Sequence, residues 1–334
     1  MTTKTLTYLG PEGTFTHQAA LTAADRLAPV LGERPRVVPA DDVPAIMRAV
    51  ESGASWGVIA WENNVEGYVV PNLDALIDAS DAAGFARVGV DVAFDAFVRL
   101  PAGDAGRPDP ADYAGAKVSA HPHGLAQCRR FVDGHRLRPE PAASNAAACR
   151  DLRPGDVALG PSLCGPLYGL TTLAAGVQDF DGARTEFLVL VPRAEATRLL
   201  AAARDGGEAE YETIVTFIPL STGPGVLADL FDVLRDAGLN MTSFISRPIK
   251  GHDGTYSFIA TIDTAPWQPR FRRVLGEVAE HGDWVKVLAA YPRRERPNPP
   301  VDAWMLPEGG VHLVAGGLGQ DWRTDARVRK ELLW

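Results

Sequence analysis

Cysteine is scarce in this sequence, and its few cysteines form no motif. Cys128, Cys149 and Cys164 are an odd set among 334 residues, without the Cys-x-x-Cys spacing of redox or zinc sites. Free thiols are therefore expected, and a disulfide framework is not. His121 and His123 have no carboxylate or cysteine at ligand spacing, so no metal is expected. Glycine-rich phosphate-binding motifs are missing too, and no cofactor is expected.

An excess of positive charge and long apolar runs are also missing. Lysine and arginine total 33 against 42 acidic residues, which gives a net charge of −9 and a pI near 5.3. Nucleic acids and anionic membranes bind cationic surfaces, so neither is an expected partner. No apolar run approaches the roughly 20 residues of a membrane-spanning helix. The first four residues lack the apolar stretch of a signal peptide, and a cytoplasmic location is expected.

The apolar residues that are present make up 46% of the chain, enough for one sizeable core and a smaller one. Their pattern predicts alternating strands and helices over residues 1–195, which is typical of an α/β domain. A helix is predicted from Leu125 to Val132. The predicted strands include residues 6–9, 57–61, 94–100, 116–120, 157–160 and 187–191.

A second module is predicted at residues 208–292, after a linker rich in alanine, arginine and glutamate. Its order is the β-α-β-β-α-β of a ferredoxin-like fold. The six segments are residues 211–219, 225–237, 241–250, 256–263, 271–281 and 285–291. Residues 293–334 form a C-terminal extension that begins with several prolines, yet this extension is too apolar for a plain disordered tail.

Several motifs, in one order along the chain, carry a resemblance to a known family. The turn Gly10-Pro-Glu-Gly13 stands between a strand and a helix, and Glu62-Asn-Asn-Val-Glu-Gly67 follows another strand. Further on come Ser119-Ala-His-Pro-His-Gly-Leu-Ala-Gln-Cys128 and Ala183-Arg-Thr-Glu-Phe187. By these motifs the chain resembles the prephenate dehydratases, whose versions read Glu-Asn-Ser-x-x-Gly and Asn-x-Thr-Arg-Phe. The resemblance implies two lobes around a substrate cleft, as in periplasmic binding proteins.

The resemblance also implies a set of site residues. Thr185 matches the family's threonine that helps the hydroxyl leave, and strand alternation puts it on one face with Phe187 while Glu186 points to the other. The catalytic candidates are Thr185, Asn64, Glu62 and His123. The substrate-binding candidates are Thr14, Phe15, Asn63, His121, Ser144, Asn145, Glu186 and Phe187. Plainer readings stay open, because threonine and serine commonly cap helices, asparagine commonly bonds backbone in turns, and a histidine can be a rim contact.

The second module resembles an ACT domain, the amino-acid-sensing unit of many dehydratases. The residues that carry this resemblance, and that would bind an effector, are Gly225, Val226, Leu227, Asn240, Ser246, Arg247 and Pro248. Ile245 stands where the family motif has a glutamate that can meet an ammonium group. An amino-acid effector site and a purely structural dimerisation module are therefore both open. By resemblance, the chain is expected to be a homo-oligomer, a dimer or a tetramer.

Departures from the family fall at Asn64, Ala183 and Glu186, where the dehydration chemistry is expected. Non-aromatising prephenate decarboxylases of antibiotic-type pathways also depart from the Thr-Arg-Phe signature, and the chain resembles them. The expected reaction is loss of CO2 from prephenate with the ring hydroxyl retained. One alternative is an ordinary prephenate dehydratase whose cation comes from elsewhere, such as Arg184. Another is a non-catalytic protein that binds an acid in its cleft.

Overall fold

The computed structural model of the protein describes residues 4–101, 106–205, 210–221, 223–252, 254–293, 300–312 and 324–333. The chain divides into two compact units, residues 1–294 and 295–334. The strands are β1 (Thr5–Leu9), β2 (Arg36–Ala40), β3 (Trp56–Asn63), β4 (Gly67–Tyr68), β5 (Ala83–Asp91), β6 (Asp95–Val98), β7 (Lys117–Ala120), β8 (Arg138–Pro141), β9 (Val157–Gly160), β10 (Thr171–Ala174), β11 (Arg184–Val191), β12 (Tyr211–Ile218), β13 (Met241–Pro248), β14 (Tyr256–Ile262) and β15 (Trp284–Pro292).

Helices alternate with these strands through most of the chain. They are α1 (Phe15–Leu31), α2 (Val43–Glu51), α3 (Val70–Asp78), α4 (Pro122–Gln127), α5 (Arg129–Gly134), α6 (Asn145–Arg150), α7 (Cys164–Tyr168), α8 (Arg193–Asp205), α9 (Val226–Asp236), α10 (Pro269–Glu280) and α11 (Ala326–Leu332). Short 3-10 turns lie at Pro110–Tyr113 and Ala303–Met305.

The first lobe is a sheet in the order β5-β11-β3-β1-β2, with helices on both faces. β1 runs parallel to β2 and β3, whereas β11 runs antiparallel to β3 and β5. Alanines 19, 20, 23 and 24 let α1 pack closely on one face, in a core that includes Leu6, Tyr8 and Val189. Helices α2 and α3 cover the other face.

The second lobe is a five-stranded sheet in the order β10-β6-β9-β7-β8. The chain enters it between β5 and β6 and returns between β10 and β11, so the two lobes are joined by two crossings. β7 is parallel to both β8 and β9. Their carboxyl ends therefore share one edge, as do those of β1 and β3 in the first lobe.

The helix predicted from Leu125 to Val132 is wrong, because the chain forms two short helices that meet at Cys128. Cys128 has φ −127° and ψ 28°, which is not helical. The carboxylate of Asp179 accepts the N–H groups of Arg129 and Arg130 at 2.9 Å each and so starts α5. Since Asp179 lies about 50 residues away in sequence, the local pattern contains no sign of the break.

Residues 211–292 form the predicted β-α-β-β-α-β order, with strands arranged β13-β14-β12-β15. α9 and α10 cover one face of this sheet. Its other face adds Ile214, Ile259 and Tyr291 to the core beneath α2 and α3 of the first lobe. β15 also pairs with β5 through Ala289 and Gly84, so one sheet runs through the first lobe and this module.

The second compact unit contains α11 and the 3-10 turn within its described residues. Asp325 caps α11 by accepting the N–H groups of Arg327 and Val328. Glu331 accepts the N–H of Gly310 at 2.9 Å. The predicted limits of the three domains stay predictions; residue 208 and parts of 293–334 lie outside the described residues.

Candidate active site

Most of the predicted site residues lie at the carboxyl ends of parallel strands, where open α/β sheets bind ligands. Thr14 follows β1, and Asn63 ends β3. In the second lobe His121 follows β7 and Ser144 follows β8. Thr185 is the second residue of β11, directly after the chain returns from the second lobe.

Thr185 and Asn63 form a fixed pair at this edge. The amide Nδ2 of Asn63 donates to Oγ1 of Thr185 at 3.0 Å. The amide Oδ1 accepts the N–H groups of Val65 at 2.8 Å and Glu66 at 2.9 Å, which settles the orientation of the amide. A threonine hydroxyl has one proton and two lone pairs, so Thr185 still has its proton to donate after accepting from Asn63.

The side chain of Asn64 bonds the backbone of the loop before β11 and does not line the cleft. Its Nδ2 donates to the carbonyl of Gly182 at 2.9 Å, and its Oδ1 accepts the N–H of Arg184 at 2.7 Å. Both ends of the amide are therefore used by backbone. The expectation that Asn64 acts catalytically is not supported by this geometry.

Glu66 links the two lobes beside the Thr185–Asn63 pair. Its Oε1 accepts from Nε2 of Gln127 in α4 at 3.0 Å. Its Oε2 lies 3.5 Å from Nδ1 of His123, whose side chain is 70% exposed. His123 is thus near the cleft, at its rim, while Glu66 and Gln127 add a contact across the lobes that the sequence analysis did not single out.

His121, Ser144 and Asn145 hold the second lobe's side of the cleft. The Oδ1 of Asn145 accepts the N–H of His121 at 2.8 Å, and Nδ1 of His121 accepts the N–H of His123 at 3.3 Å. Ser144 caps α6 by accepting the N–H of Ala147 at 3.0 Å. Burial, and then His123, lower the pKa of His121, which favours the neutral acceptor.

The start of α1 contributes the opposite wall. Thr14 caps the helix, since its Oγ1 accepts the N–H of His17 at 3.2 Å and donates to the carbonyl of Pro11 at 3.0 Å. The imidazole of His17 accepts the N–H of Gly13 at 3.0 Å and stacks on Tyr8 at 4.8 Å. Burial lowers the pKa of His17, so the ring is neutral and suited to accept this bond.

Two residues of α7 reach across to the same turn. The hydroxyl of Tyr168 donates to the carbonyl of Glu12 at 2.5 Å, and Sγ of Cys164 donates to the carbonyl of Gly13 at 3.3 Å. A Cβ on Gly13 would lie 3.1 Å from the Tyr168 ring, and its φ of +85° favours glycine. The turn after β1 is thus shaped by both lobes.

The two phenylalanines predicted to bind substrate have packing roles. Phe15 packs against the cores of both lobes and meets Phe94 edge-on at 5.4 Å between ring centres. Phe187 is 1% exposed in the core beneath Thr185. The structure corrects the expectation that Phe187 binds substrate. Phe187 lies on the same face of β11 as Thr185, two residues further along, and there α1 covers the sheet.

Glu62 and Glu186 lie on the opposite face of the sheet from Thr185 and Asn63, and this corrects the expectation that both line the cleft. They are cross-strand partners on β3 and β11, one step from the Asn63–Thr185 pair. Successive residues of a strand point to opposite faces, so the step reverses the direction. Leu188, two residues beyond Glu186, packs in the core under α2 and α3.

Glu62 and Glu186 belong to a charged group that we name the back cluster: Glu62, Arg87, Arg184, Glu186 and Glu212. Glu186 Oε1 lies 2.8 Å from Arg184 Nε, and its Oε2 lies 3.4 Å from Arg87 Nε. Arg87 Nη1 lies 3.2 Å from Glu212 Oε2 in β12. Burial raises the pKa of Glu62 and of Glu212, and in both the charge of Arg87 opposes that rise.

No group of three or more metal-ligating side chains occurs among the described residues. Within the same residues, no helix combines the length and the apolar character that a membrane span requires. Cys128, Cys149 and Cys164 are free and buried.

Comparison with known proteins identifies the family. The sequence model described as prephenate dehydratase matches residues 6–195, more than half of the chain. A prephenate dehydratase of Mycobacterium sp. (strain JLS) is 36% identical over 262 residues, which cover 76% of this chain and 78% of the relative. The chain belongs to the prephenate dehydratase family.

Solved structures agree with this membership and confirm the predicted two-lobed fold. The prephenate dehydratase of Arthrobacter aurescens, solved in complex with L-Phe, superposes with a TM-score of 0.70 at 25% identity, covering 90% of this chain and 94% of that one. GqqA, described as a novel type of quorum-quenching acylase, superposes with a TM-score of 0.69 at 21% identity, covering 87% of this chain and 98% of that one. The second likeness shows the fold alone.

The module that follows the family's catalytic region places its predicted effector residues in two elements. Gly225 precedes α9, with Val226 and Leu227 in the first turn. Ser246, Arg247 and Pro248 end β13, and Asn240 Nδ2 lies 3.5 Å from Asp263 Oδ2. Arg247 makes two bonds of 3.0 Å to the carboxylate of Asp74 in α3, so this motif contacts the first lobe. Ile245 packs on the core shared with that lobe.

Proposed function

We propose that the protein is a lyase that converts prephenate to phenylpyruvate, water and CO2. The observation that carries this proposal is the pair formed by Thr185 and Asn63 at the cleft, with Glu186 ion-paired on the other face. The threonine of the family motif is in place, and its hydroxyl keeps a proton for a departing oxygen. The acid that replaces the motif's arginine adds no charge to that face.

The chemistry requires one proton and no cofactor. The bond between the ring carbon and its carboxylate breaks, and CO2 departs. The electron pair shifts through the cyclohexadiene and expels the hydroxyl opposite, which leaves as water once it has gained a proton, so the ring becomes aromatic. A hydrogen bond from Thr185 to the departing oxygen stabilises the charge that develops there. The amino terminus of α1, at the same edge, favours a carboxylate of the substrate.

A second candidate is decarboxylation with the hydroxyl retained, which also consumes one proton but delivers it to a ring carbon. The observation in its favour is Asn64, which replaces the family's serine and spends both ends of its amide on backbone. Without that serine the cleft offers one hydroxyl fewer to the departing oxygen. His123 at the rim, paired with Glu66, supplies an acid for this variant of the reaction.

Product analysis separates these reactions. The full-length protein is incubated with prephenate at neutral pH, and products are identified by proton NMR against a Thr185→Val control. Phenyl signals of phenylpyruvate support the first proposal. Vinyl signals with a retained carbinol proton establish the second candidate and overturn the first. Binding of prephenate without turnover by either route indicates an acid-binding protein without catalysis.

We also propose that residues 211–292 are an ACT module that responds to an amino acid. Support comes from the β-α-β-β-α-β order and from the relative that was solved with L-Phe. Because Ile245 carries no charge for an ammonium group, affinity for L-Phe should be weak. Calorimetric titration with L-Phe checks this, and tight binding would contradict it. Assembly as a dimer or tetramer and a cytoplasmic location stay predictions of the sequence.

A further inference from the structure

In the back cluster, cations compensate the negative charge that Glu186 adds to a half-buried face. The family motif places an arginine after the threonine, whereas this chain has Glu186 there. Glu186 lies beside Glu62, and Glu212 approaches from the module, so three carboxylates are gathered on a half-buried face. Their side chains have little access to water, with 18% of Glu186 and 9% of Glu212 exposed. Buried like charges require a cation close by.

Arg87 contacts two of these three carboxylates, and its charge also acts on the third, Glu62. It lies on β5, opposite Leu188 and two residues from Gly89, the cross-strand partner of Glu186. Its guanidinium contacts Glu186 on β11 and Glu212 on β12, and it lies 5.3 Å from the ring centre of Tyr291 on β15. One side chain on β5 thus contacts residues of three other strands, β11, β12 and β15.

Arg184 makes the shorter contact with Glu186, 2.8 Å against 3.4 Å for Arg87, but it is the more exposed of the two arginines. Its side chain is 39% exposed, against 21% for Arg87, and it also pairs with Asp91, which is 80% exposed. Ion pairs in contact with water are weak, whereas enclosed ones with several hydrogen bonds are stronger. Arg184 also precedes Thr185 by one residue on β11, so its pair with Glu186 lies within a single strand.

The geometry points to Arg87 as the positioning residue for Thr185: it replaces, from the neighbouring strand, the cation missing at position 186. It acts by holding Glu186, and with it the β11 backbone that carries Thr185, against β5 and the module. This inference rests on the proposed function. Arg87 does not face the cleft, so its effect is on the placement of the threonine and not on substrate contact.

Charge exchange tests this role. The set is Arg87→Ala, Arg87→Lys, Arg87→Glu, Glu186→Arg and the double variant Arg87→Glu with Glu186→Arg, which keeps the charge of the back cluster. Arg36→Ala is the matched control, since Arg36 is an exposed arginine on a strand of the same sheet. Each variant is measured for kcat and KM with prephenate and for hydrogen exchange of the amides of residues 184–187.

Loss of positioning lowers kcat more than it raises KM. Arg87→Ala should lower kcat by about 100-fold, since a displacement of about 1 Å has that effect on catalysis, with KM changed by less than about threefold. The exchange of the β11 amides should rise by at least about tenfold. Glu186→Arg alone should also be impaired, and the double variant should recover at least about tenfold over Arg87→Glu.

Other results overturn the inference. If Arg87→Ala matches Arg36→Ala in kcat and in exchange, Arg87 positions nothing. If the double variant is no better than the worse single variant, the pairing of positions 87 and 186 is irrelevant. Should Arg87→Ala fail to fold, Arg87→Lys and the double variant decide. If the wild type does not turn over prephenate, the proposed function fails, and the exchange data still decide the role of Arg87.

Discussion

Thr185 and Glu186 are neighbours in sequence but belong to two different surfaces. The cleft side of β11 has Thr185, bonded to Asn63, and lies where the two lobes meet. The back side has Glu186, enclosed by Arg87, Arg184 and the module. The family's residue is kept on the first side and its charge is reversed on the second.

This difference shows that a reversed charge in a sequence motif need not change the charge of the cleft. The pleat of a strand turns adjacent side chains to opposite faces, so each is selected by a different environment. The cleft side requires a hydroxyl with a free proton. The back side requires that Glu186 has a cation beside it, and Arg184 on the same strand and Arg87 on the adjacent strand both pair with it.

The sharpest test of the cleft side is Thr185→Val, which keeps the shape and removes the hydroxyl. We expect kcat to fall by about 100- to 10,000-fold, the range for loss of a proton-delivering group. The rate is measured as total CO2 release, which counts both possible products. Thr172→Val on β10, an exposed position, is the control and should leave kcat unchanged. If kcat of Thr185→Val falls by less than about threefold, the Thr185 face of β11 is not the catalytic one.

On the module side, the largest loss of stability is expected from Arg247→Ala. It removes two 3.0 Å bonds to Asp74 in a pair whose side chains are 23% and 17% exposed. We expect the free energy of unfolding to fall by about 2–3 kcal/mol, measured by urea denaturation. Arg273→Ala, which breaks an exposed pair with Glu277, should cost less than about 0.5 kcal/mol. Equal losses would mean that Arg247 is not a joint between module and lobe.

A smaller effect on the back side is expected from Gly89→Ala. A Cβ there would overlap the guanidinium of Arg184, so this group, which pairs with Glu186, must move. Because only the end of a flexible side chain has to shift, thermal unfolding should show a loss of less than about 1 kcal/mol. The comparison variant is Gly276→Ala in α10, where a Cβ has open space and a gain of about 1 kcal/mol is expected. If Gly89→Ala and Gly276→Ala both stabilise the protein, the guanidinium of Arg184 moves without a cost in folding free energy.

The smallest expected effect is a difference between Glu62 and Glu51 in how each affects the pH dependence of stability. Burial raises the pKa of Glu62 above its ordinary 4.5, so its ionisation weakens the folded state as pH rises through and above that value. Glu62→Gln should therefore gain stability relative to the wild type from about pH 4 to pH 7. Glu51 has the opposite sign, since the N–H of Asp81 and the hydroxyl of Ser80 lower its pKa. Glu51→Gln should therefore be less stable than the wild type above about pH 4.5, and this difference should shrink as pH falls below that value. Urea midpoints measure both variants.

Local patterns predicted much of this molecule because their physical causes are local. Apolar patterns predicted β1, β3, β6, β7, β9 and β11 of the two lobes and the β-α-β-β-α-β order of the module, since period 2 and period 3.6 are properties of the backbone. They did not predict β2, β4, β5, β8 and β10. Helix caps were predicted as the plainer reading of Thr14 and Ser144, and both cap. The prediction of one helix from Leu125 to Val132 failed because Asp179 is far away in sequence. Its N–H bonds the carbonyl of Gln127 at the end of α4, and its carboxylate accepts the first N–H groups of α5.

The sequence by itself determined the family, the order of the elements in residues 211–292 and the side of β11 to which each residue points. Only the tertiary structure decided what each side meets. Arg87 and Glu212 are 125 residues apart, and no periodicity links them. Their contact depends on one sheet passing from the first lobe into the module, which buries charges that must then be paired. Burial is a property of the assembled fold, so only the tertiary structure decided that Glu186 is paired with arginines and does not face the cleft.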